Sequence, residues 1–238
     1  MYSTAFSRYY DQLMGDYSTI VNTTKLLVTQ YLPRGSSLLE LGCGTGNILN
    51  IFKDTYTLSG LDNSRGMLEL AEKKVPDATY YQGDMTSFRQ DIQYDGILCI
   101  FDTINHLSKL KEWQRLLMTV HKHLKPGGIF IFDMNTKKRL DRLSLIDPYV
   151  GKLDRHTLTC VKIIDLKKNA YDIKFQIFED IHKDTVVYTE EIVRETAFPT
   201  EEIKDLLLQQ FTLEKMVDPI RKRITVNTGR IFFVCRRK

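Results

Sequence analysis

No apolar run in the 238-residue sequence approaches the roughly 18–20 residues that a membrane-crossing helix requires. Its opening residues, Met1-Tyr2-Ser3-Thr4-Ala5-Phe6-Ser7-Arg8, have neither a basic stretch nor an apolar one, so no secretory signal is expected there. Cysteine is scarce and scattered, at 43, 99, 160 and 235, and no two cysteines form a CxxC pair. That pattern argues against both structural zinc and a disulfide framework. The five histidines, at 106, 121, 123, 156 and 182, lack HExxH or comparable ligand spacing, so no metal site is expected. Charge of one sign is also in short supply. A net charge of +4 leaves basic residues thickened only at Arg221-Lys222-Arg223 and Arg236-Arg237-Lys238, short of the broad basic face that nucleic acid needs. These absences leave a cytoplasmic protein with no membrane partner, in which nucleic acid is not the expected ligand. Its ordinary apolar and charged content suits one large domain, or one domain with a sizeable insertion.

What is present is a regular alternation. Residues 37–41, 56–61, 78–82, 94–100 and 129–132 read as strands, the last continuously apolar as a strand buried on both faces should be. Helical spacing separates them: Ile48, Leu49, Ile51 and Phe52, then Met67, Leu68, Leu70 and Ala71, then Leu110, Trp113, Leu116, Leu117, Val120 and Leu124. Lys125-Pro126-Gly127-Gly128 is expected to stop the third helix. On that helix Trp113 falls on the apolar stripe, while His121 and His123 read as surface residues or as favourable charges near its C-terminus. Strands alternating with helices predict a parallel sheet with right-handed crossovers.

After Asn135 the period shortens. Residues 157–197 alternate, as in Ile173, Phe175 and Ile177 against Lys174 and Gln176. Turns are expected at Lys167-Lys168-Asn169 and His182-Lys183-Asp184, giving an antiparallel sheet of about three strands. Pro199-Thr200-Glu201-Glu202 reads as a helix start with a threonine cap and an acidic first turn, and residues 212–217 and 230–235 as closing strands. The expected fold is therefore α/β: a Rossmann-like, doubly wound, mostly parallel seven-stranded sheet with an inserted antiparallel sheet as a lid. The expected divisions are a helical cap at 1–35, a ligand-binding core at 36–140, the insertion at 141–198, and the last helix and closing strands at 199–238.

The richest segment is Leu38-Leu39-Glu40-Leu41-Gly42-Cys43-Gly44-Thr45-Gly46-Asn47, a strand, a glycine turn and a helix start. Glycines at 42 and 44 let a ligand approach the backbone, and Gly46 lets the turn enter the helix. A dinucleotide fingerprint would have glycine or alanine at 47 and a P-loop would continue Gly-Lys-Ser/Thr; neither occurs. Glu40 would repel a pyrophosphate at this strand end, but it suits a ligand bearing an ammonium and a sulfonium. The stretch resembles the first motif of the class I S-adenosylmethionine-dependent methyltransferases.

Other pieces fall where that family has them. Asp62, in Gly60-Leu61-Asp62-Asn63-Ser64, ends the second strand, and Gly83-Asp84-Met85 follows the third. The resemblance implies S-adenosylmethionine as cofactor and S-adenosylhomocysteine as product. It implies a cofactor site made of Tyr10, Glu40, Gly42, Cys43, Gly44, Asp62, Asn63, Met67, Asp84, Met85, Ile100 and Phe101. Within it Asp62 would meet the ribose hydroxyls, Asp84 the exocyclic amine, and Met85 and Met67 the adenine ring. For Asp62 or Asp84 taken alone, a helix-capping role is the alternative. More loosely, Val75-Pro76-Asp77-Ala78-Thr79-Tyr80-Tyr81-Gln82-Gly83-Asp84-Met85, Phe6-Ser7-Arg8-Tyr9-Tyr10-Asp11 and Gly229-Arg230-Ile231-Phe232-Phe233-Val234 resemble bacterial amino-sugar N-methyltransferases. Asp102-Thr103-Ile104-Asn105-His106-Leu107 and Asp133-Met134-Asn135 echo glycine N-methyltransferase.

For the acceptor side, His106 is the candidate base, its alternative being a residue that starts or packs under the next helix. Tyr10 is the second catalytic candidate, with a core aromatic role as the alternative. Asp102, Asp133 and Asn135 are candidates for holding the acceptor, and loop capping is the alternative for the last two. No Asn-Pro-Pro-Tyr follows the fourth strand, which argues against methylation of exocyclic amines in nucleic acid. The expected function is methylation of a small soluble acceptor, an amine nitrogen before an oxygen, by a monomer or homodimer. An RNA-modifying enzyme and an S-adenosylmethionine-binding protein without transferase activity are the alternatives.

Overall fold

The computed structural model describes residues 3–182 and 185–238. Three helices open the chain: α1 (Thr4–Ser7), α2 (Tyr10–Leu13) and α3 (Ser18–Tyr31). There follow β1 (Ser37–Leu41), α4 (Asn47–Phe52), β2 (Thr57–Asp62), α5 (Arg65–Lys74), β3 (Thr79–Gln82) and β4 (Tyr94–Cys99). A 3-10 turn at Thr103–His106 leads into α6 (Leu110–His123) and β5 (Leu124–Asn135). Next come α7 (Lys137–Ser144), β6 (Tyr149–Lys152), β7 (Thr157–Asp165), β8 (Ala170–His182) and β9 (Thr185–Thr196). The chain closes with α8 (Thr200–Leu208), β10 (Phe211–Val217) and β11 (Arg230–Arg237).

The main sheet runs β10-β11-β5-β4-β1-β2-β3, with β11 antiparallel to both its neighbours and the other pairs parallel. This is the mostly parallel seven-stranded Rossmann-like sheet that the alternating pattern predicts. Its central strands bury both faces. Along β5, Phe130, Phe132 and Met134 face α6 and α8, while Ile129 and Ile131 face the layer of α3 and α4. The same alternation divides Ile231, Phe233 and Cys235 of β11 from Phe232 and Val234. Phe132 and Phe233 stack with ring centroids 4.7 Å apart. Each such buried side chain stabilises the fold by about 1.5–3 kcal/mol, so the central strands are its anchor.

Several expectations are corrected. The inserted sheet has four strands, β6-β7-β8-β9, because the short Tyr149–Lys152 segment, which lacks alternation, pairs with β7. Of the expected second turn, Lys183 and Asp184 lie outside the described residues. Thr200 is the first residue of α8 and does not cap it; Pro199 stands at the cap in extended conformation (φ −54°, ψ 134°). β5 starts directly after α6, so Lys125-Pro126-Gly127-Gly128 belongs to the irregular beginning of the strand.

His123 is likewise no surface residue. It is buried, its ring lies 4.2 Å from that of Phe88, Nδ1 donates to the Thr119 carbonyl (2.7 Å), and Nε2 accepts from the Gln90 amide (3.1 Å). A histidine replaces backbone hydrogen bonding between the 88–92 segment and α6, which is why it is tolerated in the interior.

Candidate functional site

The strand order turns back at β1, between β4 on one side and β2 on the other, and a crevice outside the carboxyl ends of the strands opens at such a point. The turn after β1 is drawn onto the end of β2: the Gly42 and Cys43 amides donate to the Leu61 carbonyl at 2.7 and 3.1 Å. Gly42 has φ +66°, and a Cβ there would lie 2.3 Å from Thr103 Cγ2, so only glycine fits. At Gly46, φ is +80° as the chain enters α4.

Asp62, at the end of β2, fastens this turn from outside. One carboxylate oxygen accepts from the Gly44 amide (2.9 Å) and the other from the Ser64 amide (2.8 Å). Burial raises its pKa, and these backbone donors oppose the rise. Beneath the turn lies Glu40, where burial and the neighbouring Asp62 charge hold the carboxyl well above the usual range. Its Oε2 is buried without a hydrogen-bond partner in the protein.

Above the turn is a cavity of about 450 Å³, within the roughly 300–1,000 Å³ of small-molecule sites. Of the residues singled out by sequence, Tyr10, Gly42, Gly44, Asp62, Asn63, Asp84, Met85, Phe101 and His106 line it. Asp84 also accepts from the Thr86 amide (2.7 Å), so it fixes its own turn while facing the cavity. Glu40, Cys43, Met67 and Ile100 are buried and do not form the wall. Met67 is wholly buried, so the ring contact expected of it has no basis in its position.

Tyr10 comes from α2. Burial, together with the Asp102 and Asp62 carboxylates, raises its phenol pKa far above the ordinary value, so the hydroxyl keeps its proton. His106 sits at the end of the 3-10 turn with Nδ1 3.1 Å from the Arg194 carbonyl of β9. A carbonyl can only accept, so the proton is on Nδ1 and the basic nitrogen of the neutral ring is Nε2. This is the tautomer a proton acceptor needs.

Between β4 and that turn, Phe101 (φ 61°) and Asp102 (φ 52°) are consecutive left-handed residues that are not glycine. Such backbone costs about 1–3 kcal/mol per residue and persists only where the surroundings impose it. Here the Asp102 amide donates to Asp133 Oδ2 (3.2 Å), Arg230 Nη2 donates to Asp102 Oδ1 (3.0 Å), and the Asn105 amide donates to the Asp102 carbonyl (2.7 Å).

Asp102, Asp133 and Asn135 are thus brought together, in a polar cluster behind the cavity wall. Arg230 pairs with both aspartates. Asn135 Nδ2 donates to Asp102 Oδ2 (2.5 Å) and Glu195 Oε2 (3.0 Å), and Asn105 Nδ2 donates to the carbonyls of Asn135 and Thr196. Burial pushes the Asp133 carboxyl up to about 6, against the pull of Arg230. Burial and the Asp102 charge push Glu195 up. The cluster ties β4, β5 and β11 of the core to β9 of the insertion.

Sequence reasoning missed Glu195, Arg230 and Asn105, and also Glu191, Ile192, Val193 and Arg194 of β9, which line the cavity. A readable signal existed only for Arg230: a charge opening the otherwise apolar run Ile231-Phe232-Phe233-Val234. Among the described residues, no group of histidine, cysteine, aspartate and glutamate is placed to hold a metal, and no helix is long and apolar enough to cross a membrane.

The fold places a glycine-floored cavity across the ends of β1, β2 and β4 of a Rossmann-like sheet. Residues 38–128 match the family model described as a methyltransferase domain. Over 119 residues the chain is 34% identical to dTDP-3-amino-3,4,6-trideoxy-alpha-D-glucopyranose N,N-dimethyltransferase of Streptomyces venezuelae, covering 50% of each protein. It spans about half the length of the curated relatives it matches. Among solved structures, an S-adenosylmethionine-dependent methyltransferase of Clostridium acetobutylicum superposes with a TM-score of 0.85 at 22% identity, over 98% of this chain and 97% of that one. The S-adenosylmethionine-bound amino pentose methyltransferase CalS10 of Micromonospora echinaspora superposes with a TM-score of 0.77 at 21% identity, over 100% and 98%. These likenesses extend the shared fold over the cap and the inserted sheet.

Proposed function

We propose that the protein is an S-adenosylmethionine-dependent methyltransferase that methylates an amine nitrogen of a small soluble acceptor. The observation that carries this reading is the Asp62 carboxylate, held by the Gly44 and Ser64 amides at the rim of a cavity floored by glycine. The orphaned Oε2 of Glu40 beneath that floor is a buried acceptor that suits the ligand's ammonium group. The residues therefore fit the cofactor: Asp62 for the ribose hydroxyls, Asp84 and Met85 for the adenine, and the Gly42–Gly44 turn, with the Glu40 carboxyl beneath it, for the amino-acid end. When bound, S-adenosylmethionine supplies a methyl group already activated on a sulfonium.

The protein's task is then alignment, exclusion of water and removal of one proton. Tyr10 and β9 close the cavity on the acceptor side. Tyr10 donates a hydrogen bond and does not act as a base. His106, with Nε2 as its basic nitrogen, takes the acceptor's proton, and its exposed position lets that proton pass to solvent. Asp102, Asp133 and Asn135 act from behind the wall, holding the strained Phe101–Asp102 backbone that carries Phe101 and His106 into the site.

Relatives that are named amino-sugar N,N-dimethyltransferases support nitrogen as the acceptor atom and amino sugars as the first compounds to try. The four cysteines are free thiols, which fits a reducing, cytoplasmic setting. Nucleic acid is not the partner in this reading, and the chain works as a monomer or homodimer. The test is formation of S-adenosylhomocysteine with S-adenosylmethionine plus amino sugars, dTDP-linked amino sugars, simple amines and transfer RNA, each assayed separately. Turnover confined to an amine supports the proposal. Turnover confined to RNA, or cofactor binding with no turnover on any acceptor, overturns it.

A further inference from the structure

The segment bearing Tyr10 is attached to the molecule in two unlike ways. Toward the inserted sheet its anchor is apolar and buried: Phe6 and Tyr9 pack with Ile177, and the Phe6 and Phe175 rings are 5.1 Å apart. Two polar contacts add to it, the Tyr9 hydroxyl donating to Glu179 (2.6 Å) and the Ser3 amide to Glu191 (3.1 Å). Toward the core, where α1 also packs against α5, the polar attachment centres on Asp11. Asp11 Oδ1 accepts from Thr45 Oγ1 (2.5 Å) and Asn47 Nδ2 (2.9 Å), and its Oδ2 accepts from Lys74 Nζ (2.7 Å).

The partners of Asp11 are also joined to one another. Lys74 donates to Asn47 Oδ1 (2.5 Å) and to Thr45 Oγ1 (3.3 Å). Thr45 lies between Gly44 and Gly46 of the turn, Asn47 begins α4, and Lys74 ends α5. Asp11 therefore grips three pieces of the glycine-loop region at once. Its neighbour Tyr10 lies directly over that loop, its Cε1 being the nearest atom, at 4.0 Å, to where a Gly44 side chain would begin.

We propose that Asp11 is a latch that holds the cap shut over the bound cofactor and positions Tyr10 in the cavity. This rests on the methyltransferase reading for the identity of the ligand, but the latch itself is a property of the fold. The sheet-side anchor buries aromatic rings, whereas the core-side anchor is a half-exposed ion pair with 42% of the Asp11 side chain and 27% of the Lys74 side chain accessible. The half-exposed side opens first, because water competes for the ion pair and its hydrogen bonds at little cost. The cap then pivots on its anchor at the inserted sheet, away from the glycine loop, and lets the product leave. Asp11 is a positioning residue: it touches the loop and not the reacting atoms.

The experiment compares wild type, Asp11→Asn, Lys74→Met and the double variant by hydrogen exchange and by stopped-flow dissociation of S-adenosylhomocysteine. Each single variant should raise the dissociation rate roughly tenfold, the effect of losing a charge-assisted hydrogen bond discounted for its exposure. In the ligand-free protein, amides of residues 3–14 should exchange faster in each variant while those of β1 and β4 do not. The double variant should fall short of the sum of the two singles, since both substitutions remove the shared Asp11–Lys74 ion pair. Unchanged exchange in residues 3–14, or effects that simply add, would overturn the latch. If wild type fails to bind S-adenosylhomocysteine, the cofactor reading falls, and exchange in the ligand-free protein still decides the latch.

Discussion

Replacing Arg230 by Met tests whether the polar cluster holds the site from behind. The guanidinium is nearly buried, 10% exposed, and pairs with Asp102 and with the fully buried Asp133, while Glu195 stands on the other side of Asn135. Met fills much of the volume but leaves the Asp102 and Asp133 carboxyl groups without the cation that pairs with them. Breaking a buried pair from one side costs about 3–5 kcal/mol. For a chain of this length that lowers the melting temperature by roughly 6–20 °C.

The loss should depend on pH. Burial has already raised Asp133 to about 6, above the roughly 3.9 of an unfolded aspartate. The folded state therefore holds this proton more tightly. The stabilising effect is complete below the unfolded value and is lost as pH rises through the folded one. Without Arg230 the folded value climbs further, so the variant recovers stability on acidification from pH 8 to pH 5. Urea unfolding of both proteins at these two pH values is the assay. A penalty under about 1 kcal/mol, or one equal at both pH values, would refute the reasoning.

Four further outcomes follow from the same geometry. Gly42→Ala places a methyl group 2.3 Å from Thr103 Cγ2 at a left-handed position, and a thermal melt should show a loss of about 1–3 kcal/mol along with loss of cofactor binding. His123→Leu leaves the Gln90 amide without its buried acceptor and should cost about 1–3 kcal/mol by denaturant titration, with cofactor affinity unchanged. His106→Gln should lower kcat about 10²–10⁴-fold while S-adenosylhomocysteine affinity, measured by calorimetry, stays within about twofold. Tyr10→Phe should lower kcat/KM without moving the pH profile of kcat, because a phenol held protonated does not titrate in the working range; a shifted profile would contradict its assignment as a donor.

The core was legible because its signals are local and redundant. Continuously apolar strands, helices with stripes such as Trp113, Leu116, Leu117 and Val120, and a glycine turn all point to one sheet. The glycine-floored end of the cavity was legible for the same reason: Gly42, Gly44, Asp62 and Asp84 each sit at a strand end fixed by that pattern. The far wall was not. Alternation along β9 distinguishes two faces, but Glu191–Arg194 meet the cavity only because the inserted sheet folds back over β1 and β4, a long-range fact absent from the pattern. Asp102 and Asp133 pointed toward the acceptor on position alone, whereas Arg230, far along the chain, holds them behind the wall. His123 was misread despite a usable signal: it follows Val120 by three and Leu116 by seven, on the same stripe.

Isothermal titration with S-adenosylhomocysteine, using wild type and Asp62→Ala and with NADH as a control, tests the central claim most directly. Binding in the low micromolar range (on the order of −7 to −8 kcal/mol), at least tenfold weaker in folded Asp62→Ala and absent for NADH, is the expected result. No binding to folded, ligand-free wild type, or equal affinity in Asp62→Ala, would contradict the assignment of this cavity to S-adenosylmethionine.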